Sequence, residues 1–456
     1  AYGLVSGWLF YYLTNVMYIA PIFVGVITGF SRIFDAVNDL GIGAVMDRIR
    51  FKSGEKLRPY LKITPAIIGI LLALMFINPG IENQTMKFVY ILIIYLFWDI
   101  AYTFQDIAMW GMTSLISTVP GERDSVAQWA RVGGMVGGWL PGLIPLMIGA
   151  LDVLGITKKT MFMILGIIYG FGGMMASLLT HKAKERVVSV VKEKEPFLKS
   201  LKLVFENKTV MLILLGAILQ NVMFTVPAIY FFEYKVTVNM FGMVINGATF
   251  YFIFGIVSNL PAAFAMPFAT KIAKKLGGMK SILIWANILN VISRVAAFAV
   301  GYQGVRMVFV IILLAGGTVF NSTVGIASTA LWCDSIDEME VKTGQRAEAM
   351  TFSMQNLSAK ATSGLSMIVS GITLTLLKFT PELHEAGQPL SPEFNKWIWP
   401  IFILGPALGS IAYIIPVMFV PFNKHRRVEV QRILEERRAA AERAEAETLA
   451  EETPEA

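Results

Sequence analysis

Three charged side chains lie in a stretch that is otherwise apolar enough to cross a membrane. Arg32, Asp35 and Asp39 fall within a hydrophobic segment between about residues 19 and 46. One charge at mid-bilayer costs roughly 2.5–3.5 kcal/mol on insertion scales, so each is a candidate functional group. On a helix the two aspartates share a face with the arginine. This pattern predicts a cation site with its own counter-charge. A structural ion pair is the alternative, although one arginine cannot neutralise two aspartates.

A second set of polar residues follows a single helical stripe further along the chain. Asp99, Tyr102, Asp106 and Trp110 are spaced i, i+3, i+7 and i+11. Carboxylates accept hydrogen bonds from hydroxyl groups, and a flat ring packs against the apolar face of a sugar. The stripe therefore predicts a cavity that binds a polyol. The alternative is that the two aromatic residues are anchors at the membrane interface, where tyrosine and tryptophan are enriched.

Three further basic residues fall within predicted membrane spans, and each needs a partner. Arg131 and Lys360 are predicted to pair with the aspartates described above, because the summed charge of a buried network must be close to zero. Arg294 is the third, and it is also placed to extend its side chain to the membrane interface.

The composition of the chain is that of a membrane protein. It has 456 residues, of which 55% are hydrophobic and 16% are charged, against about 25% charged in soluble domains. Apolar runs of membrane-spanning length recur along most of the sequence. We predict an all-α polytopic membrane protein with twelve spans. They cover approximately residues 1–17, 20–46, 61–79, 87–116, 126–150, 159–180, 209–233, 242–268, 281–301, 306–333, 348–378 and 396–421.

The distribution of basic residues predicts the topology. Lysine and arginine concentrate in alternate loops, above all in the long central loop at 181–208, so the positive-inside rule places both termini in the cytoplasm. The net charge of +7 therefore reflects a membrane protein and predicts no nucleic-acid partner. The central loop divides the chain into bundles at 1–180 and 209–421, with a substrate site between them. The charged tail at 422–456 shows no apolar face, which predicts a solvated helix or a disordered segment.

Several kinds of chemistry are excluded by residues that the sequence lacks. Cys333 is the only cysteine, so there is no intramolecular disulfide and no cysteine-based metal site. The histidines, His181, His384 and His425, fall near or outside the ends of the spans, which argues against a histidine proton relay in the membrane. No phosphate-binding loop of the ATPase type is present. An enzyme would need a nucleophile–base pair or metal ligands, so we predict that the protein is not an enzyme and needs no cofactor.

These motifs resemble those of the glycoside–pentoside–hexuronide:cation symporter family, the melibiose-carrier-like branch of the major facilitator superfamily. The resemblance is carried by Arg32-x-x-Asp35-x-x-Asn38-Asp39, Asp47-Arg48, Leu57-Arg-Pro-Tyr60, Tyr102-Thr103-x-x-Asp106-Ile-x-x-Trp110, Arg131, Thr343-Gly-x-Arg346, Ser353-Met-Gln and Lys360. The resemblance implies the major facilitator fold, with twelve helices in two six-helix bundles. It also implies a multi-pass protein of the cytoplasmic membrane that works as a monomer.

The resemblance also implies roles for particular residues. The coupling-cation site would consist of Asp35, Asn38, Asp39, Thr103 and Asp106. The sugar would contact Tyr102, Asp106, Trp110, Arg131 and Lys360, and Arg32, Asp47, Arg48, Arg294 and Arg346 would have structural or gating roles. Na⁺ and Li⁺ are hard cations that prefer oxygen ligands, which these residues supply. A proton is the other candidate, because two neighbouring carboxylates favour protonation of one of them.

The sequence departs from the family pattern in places, and two other functions remain open. Leu40 replaces the usual proline after the second acid, Asp99 is an extra acid without an assigned role, and the first-helix sugar-site acid would fall before Ala1. The alternatives are a lysolipid or amphiphile carrier of the same fold and a membrane sugar sensor that does not transport. The polar stripe on the fourth span favours a sugar transporter.

Overall fold

The structure is a computed structural model of the chain. It describes residues 1–49, 51, 55, 57–116, 125–126, 129–130, 133–134, 137–185, 202, 204–240, 243–265, 275–344, 348–422 and 424–452. The N-terminal helices are α1 (Tyr2–Asn15), α2 (Pro21–Arg48), α3 (Arg58–Phe76), α4 (Gln84–Leu115), α5 (Ile144–Gly149), α6 (Leu151–Leu154), α7 (Lys158–Ile167) and α8 (Met174–Ser177). A π-helical turn, Ile168–Gly173, joins α7 to α8, and 3-10 turns occur at Leu140–Leu143 and Leu178–Lys182.

The C-terminal helices follow the central loop. They are α9 (Lys208–Asn221), α10 (Ala228–Lys235), α11 (Gly247–Ala265), α12 (Met279–Val300), α13 (Arg306–Thr343), α14 (Glu348–Leu376), α15 (Pro381–Glu385), α16 (Pro392–Met418) and α17 (Lys424–Glu452). Strands β1 (Thr237–Met240) and β2 (Met243–Asn246) pair antiparallel, with Thr237 opposite Asn246.

The helices have the length and composition of membrane spans. Within the described residues, seven helical segments are long and apolar enough to cross a membrane. The helices α2 and α14 are of similar length, with 28 and 29 residues, and they carry Asp35, Asp39 and Lys360 of the predicted site. The protein is therefore an all-α polytopic membrane protein, as the sequence predicts.

The seventh and eighth predicted spans differ from the structure. Residues 209–233 do not form one helix, because the chain leaves the helical conformation between α9 and α10, where Pro227 has no backbone N–H to donate. The eighth span begins at Gly247 and not at 242. The side chain of Asn246 accepts a hydrogen bond from the backbone N–H of Thr249 at 2.9 Å, which fixes the start of α11.

The tenth span and the tail also differ from the prediction. Helix α13 continues to Thr343, so most of the chain between the tenth and eleventh predicted spans is helical. The tail does have an apolar contact face: Val430 and Leu434 of α17 are buried in one cluster with Leu331 and Trp332. This face was not apparent because its two apolar residues, four positions apart, are surrounded by arginine and glutamate.

Helices α2 and α14 pack closely against each other and join the N-terminal helices to the C-terminal ones. The two helices run antiparallel and meet through glycines. A Cβ at Gly29 would lie 2.7 Å from the carbonyl oxygen of Gly364, and one at Gly25 would lie 3.0 Å from Cα of Gly371. A side chain at Gly29 would therefore force a shift of the two helices, and one at Gly25 would be tightly crowded. The contact continues towards the middle of α2, where a Cβ added to Gly364 would lie 3.0 Å from the Cβ of Arg32.

Candidate functional site

The predicted acidic pair of α2 is held by a lysine from α14. Asp35 is buried, and its Oδ2 lies 3.0 Å from Nζ of Lys360. The same ammonium donates a hydrogen bond to Oδ2 of Asp39. One positive charge from the C-terminal helices therefore lies between two negative charges of an N-terminal helix. The sequence predicted both the spacing of the aspartates and Lys360 as their partner.

Polar groups beside Asp39 connect α2 to α4. The hydroxyl of Thr103 donates to Oδ1 of Asp39 at 3.4 Å, and Nδ2 of Asn38 donates to Oγ1 of Thr103 at 3.4 Å. Both contacts are long hydrogen bonds. Asn38, Asp39 and Thr103, three of the residues assigned to the cation site, thus lie next to one another, although Thr103 is more than sixty residues away in the sequence.

The stripe on α4 is partly buried. Tyr102 stacks between two aromatic rings, with ring centroids 5.1 Å from Trp98 and 5.2 Å from Tyr2. The half-buried Asp106 accepts a hydrogen bond from the side chain of Trp110, which is 44% exposed. The stripe thus offers an exposed ring beside a carboxylate, which is the combination of groups that binds the apolar and hydroxyl faces of a sugar.

Arg32 has a different partner from the one predicted. Its Nη1 donates to the hydroxyl of Tyr2 at 2.5 Å, and its guanidinium lies 5.1 Å from the centroid of the same ring. In the described part of the chain it makes no ion pair with Asp35 or Asp39. The structural ion pair considered as an alternative for α2 is therefore formed by Lys360, and Arg32 completes the aromatic stack instead.

The structure leaves some predicted residues outside the site. Arg294 bonds to Asn290 at 3.3 Å and to the carbonyl oxygens of Phe402 and Ile403, so it connects α12 to α16. The remaining predictions lie outside the described residues. They concern Arg131 and Arg346 and the side chains of Asp47 and Arg48.

Two aromatic residues of the site were missed by sequence reasoning. Tyr2 contacts Arg32 and Tyr102, yet its place near the start of the chain carries no local signal. Trp98 lies four residues before Tyr102, so helical spacing was enough to place it on the same face. Asp99, noted in the sequence without a role, is 3% exposed and lies beside the acidic pair of α2.

A second polar cluster closes one end of the molecule, which we call the closed end. It consists of Tyr11, Thr14, Asn15, Tyr18 and Lys158 from the N-terminal helices with Tyr230, Glu233, Tyr234 and Glu385 from the C-terminal helices. Lys158 pairs with Glu233 at 2.9 Å and with Glu385 at 3.1 Å. The α2–α14 glycine contact lies between this cluster and Lys360, so the site is closed off from that end.

The ligand chemistry of the site is that of oxygen atoms. Aspartate, asparagine and threonine surround the lysine, and no group of three or more histidine, cysteine, aspartate or glutamate residues suitable for a resident metal occurs within the described chain. Such a site suits a weakly bound hard cation and a hydroxylated solute. A polytopic helical bundle with this site between its N- and C-terminal helices defines a membrane transporter.

Comparisons with known proteins agree with this class. The chain belongs to the family described as MFS/sugar transport protein, whose model matches residues 2–424. It is 25% identical to the uncharacterized symporter YjmB of Bacillus subtilis (84% of this chain, 81% of the relative). It is also 25% identical to the isoprimeverose transporter of Lactiplantibacillus pentosus (90% and 84%). The resemblance to the glycoside–pentoside–hexuronide:cation symporters is thereby confirmed, and the protein is a transporter and not an enzyme.

The fold is also found among solved structures. The nucleoside transporter NupG superposes with a TM-score of 0.58 at 13% identity, over 92% of this chain and 96% of that chain. At this identity the similarity shows the fold alone. It confirms the major facilitator fold that the resemblance implied.

Proposed function

We propose that the protein is a secondary active transporter that moves a sugar or glycoside together with a monovalent cation. The observation that carries this proposal is Lys360 of α14, which lies between Asp35 and Asp39 of α2. One contact joins the predicted cation ligands of one bundle to the other bundle. Whatever binds to these carboxylates therefore changes how the two bundles are held together.

The proposed cation site takes Na⁺, Li⁺ or a proton at Asp35 and Asp39, with further oxygens from Asn38, Thr103 and Asp106. The ammonium of Lys360 already neutralises one negative charge there. An entering cation competes with it, because both positive groups seek the same carboxylates. The released lysine is then free to contact the sugar, which makes binding of cation and sugar cooperative.

The proposed sugar site lies next to the cation site and shares Asp106 with it. Tyr102, Trp110, Arg131 and Lys360 supply the remaining contacts. The exposed ring of Trp110 covers an apolar sugar face, while the carboxylate of Asp106 accepts hydroxyl hydrogen bonds. One relative is named an isoprimeverose transporter, which supports a sugar or glycoside as the substrate class.

Transport proceeds by alternating access. The bundles at 1–180 and 209–421 rock about the shared site, with the closed end opening in one state and the opposite end in the other. Following the positive-inside rule, both termini lie in the cytoplasm and the closed end faces outwards. One positive charge moving inwards gains about 2.3 kcal/mol per 100 mV of membrane potential, which drives accumulation of a neutral sugar. The protein acts as a monomer in the cytoplasmic membrane.

Uptake into proteoliposomes tests this proposal. We expect a labelled glycoside to accumulate under an imposed Na⁺ or H⁺ gradient, and Asp39→Cys to abolish the accumulation, because the cation loses a central ligand. Glu82→Gln, which removes an exposed carboxylate far from the site, is the matched control and retains uptake. Uptake that depends on neither gradient and is retained in Asp39→Cys would contradict symport and favour a uniporter. Binding of the glycoside without counterflow would favour a sensor. Transport of lysolipid but not of glycoside would favour an amphiphile carrier.

A further inference from the structure

Arg32 carries a buried positive charge that makes no ion pair within the described residues. The residue is 8% exposed, and its guanidinium donates a hydrogen bond to the hydroxyl of Tyr2, whose ring centroid lies 5.1 Å away. Asp35 follows three residues later on α2, which is near enough for an ion pair on one helix face. Ionised partners form the stronger hydrogen bonds, so the pairing of this guanidinium with a neutral phenol needs an explanation.

The base of the Arg32 side chain is fixed by packing, so the end of the side chain determines its partner. A Cβ added to Gly364 would lie 3.0 Å from the Cβ of Arg32, so α14 packs closely against the first side-chain carbon. Beyond that carbon the arginine has several rotatable bonds. The guanidinium can therefore turn towards Tyr2 of α1 or along α2 towards Asp35 without movement of the helices.

Tyr2 is held in place by a stack of aromatic rings. Its ring centroid lies 5.2 Å from that of Tyr102, and the ring of Tyr102 lies 5.1 Å from that of Trp98. Trp98 is buried, so the stack is anchored in the interior of the protein. Tyr2 holds the guanidinium of Arg32 through its hydroxyl oxygen and through the attraction between a cation and an aromatic ring. A well-packed phenol therefore competes with Asp35 for the arginine.

The direction in which Arg32 points matters for the proposed cation site. Asp35 already contacts one positive group, because its Oδ2 lies 3.0 Å from Nζ of Lys360. An opposite charge within about 4–6 Å of a carboxylate lowers its affinity for a proton by roughly one to three powers of ten. A metal cation that binds to the same carboxylate meets the same repulsion. A guanidinium beside Asp35 would therefore weaken the binding of either kind of coupling cation.

We propose that Tyr2 is a positioning residue that holds Arg32 away from Asp35 and thereby sets the cation affinity of the transporter. This inference rests on the proposed function and deepens it. Tyr2 acts without contacting the cation, because its effect passes through the guanidinium. When the phenol is lost, the guanidinium turns one helical turn along α2, joins Lys360 at Asp35 and competes with the entering cation.

The cation dependence of uptake tests the proposal. Uptake of the labelled glycoside into proteoliposomes is measured against Na⁺ concentration at constant pH and against pH without Na⁺, so that either coupling cation is detected. We expect Tyr2→Leu to raise the half-activating concentration of the coupling cation about tenfold, the lower end of the range for a charge beside a carboxylate. Tyr2→Phe keeps the stacked ring and loses the hydrogen bond, so we expect a smaller increase.

Removal of the arginine separates positioning from support of the fold. In Tyr2→Leu/Arg32→Gln no guanidinium can reach Asp35, so the half-activating concentration should return to that of Arg32→Gln. A purely structural role of Tyr2 would not be reversed in this way. An unchanged half-activating concentration in Tyr2→Leu, or a double variant that stays as weakly activated as Tyr2→Leu, would overturn the inference and leave the proposed symport intact.

A second arginine provides the matched control. Arg294 also bonds to neutral oxygens, those of one amide and two backbone carbonyls, but it lies between α12 and α16. Tyr2→Leu/Arg294→Gln should therefore remain as weakly activated as Tyr2→Leu. Restoration by Arg294→Gln would show that loss of any positive charge strengthens cation binding, which would overturn the specific role of Arg32. Wild-type uptake that neither Na⁺ nor H⁺ activates would overturn the proposed function, and this inference with it.

Discussion

Lys360 holds two carboxylates with one ammonium group, and this contact is the centre of the site. The spacing of Asp35 and Asp39 was visible in the sequence because four residues bring side chains to one helix face. The partner of Arg32 was not visible. It is Tyr2, thirty residues away, and aromatic stacking between helices has no sequence periodicity. The sequence therefore predicted which charges lie in the membrane but not every partner.

Replacing Lys360 tests whether it occupies the place of a cation. Lys360→Met removes the cationic partner of Asp35 and Asp39. Only Asp35 of these three residues is buried, so the cost falls between the roughly 0–1 kcal/mol of an exposed pair and the roughly 3–5 kcal/mol of a buried one. We expect a lower Tm in cation-free buffer and a larger rise in Tm with Na⁺ or Li⁺ than in the wild type, because the bound cation replaces the lost charge. Thermal unfolding in detergent, with and without the cation, measures both effects.

The control for this variant is a lysine in an exposed pair. Lys378→Met breaks the contact with Glu393, and exposed pairs contribute only about 0–1 kcal/mol. Its Tm and its response to Na⁺ should match the wild type. If Lys360→Met responds to Na⁺ no more than Lys378→Met does, the lysine does not compete with a cation.

At the scale of elements, the sequence predicted the apolar helices better than the places where they end. Apolar runs mark helix interiors, whereas helix ends depend on local groups. Asn246 accepts a hydrogen bond from Thr249 that only the folded chain defines, and Pro227 has no backbone N–H to continue a helix. The docking of α17 was missed for a related reason. Arg427 pairs with Asp334 at 3.1 Å, so the tail is held by charges of another helix as well as by its small apolar face.

The α2–α14 contact has no room for a side chain, which gives a test of the closed state. A Cβ at Gly29 would lie 2.7 Å from the carbonyl oxygen of Gly364, and overpacking of this kind costs about 1–3 kcal/mol. We expect Gly29→Ala to shift the population towards molecules that are open at the closed end. Spin labels at Glu82→Cys and Glu382→Cys, in a Cys333→Ser background, should show longer distances in electron–electron double resonance.

The same helix supplies a matched control. Gly41 lies on α2, and a Cβ there would meet nothing within 4 Å. Gly41→Ala should leave the distance distribution of the wild type unchanged. Equal distributions for Gly29→Ala and the wild type would show that the two helices do not separate when the molecule opens.

At the scale of the whole molecule, N- and C-terminal helices meet at the closed end, along the α2–α14 glycines and at Lys360. Lys158 joins Glu233 and Glu385 at the closed end, and the aspartates of α2 join α14 through Lys360. The class of fold followed from composition and from motifs spread along the chain. The conformation, closed at one end, could not be predicted in this way, because the sequence around Lys158 and Glu233 does not indicate that these residues form an ion pair.

The central claim is that cation and sugar cross the membrane together, and reverse coupling tests it most directly. Thermodynamic coupling between two ligands is reciprocal, so a sugar gradient must drive the cation just as a cation gradient drives the sugar. Proteoliposomes are given an inward glycoside gradient and equal radiolabelled Na⁺ on both sides, with a pH dye reporting H⁺. We predict that one of the two cations accumulates transiently in wild-type vesicles and not in Asp39→Asn vesicles. Sugar that equilibrates without any movement of Na⁺ or H⁺ would contradict the account.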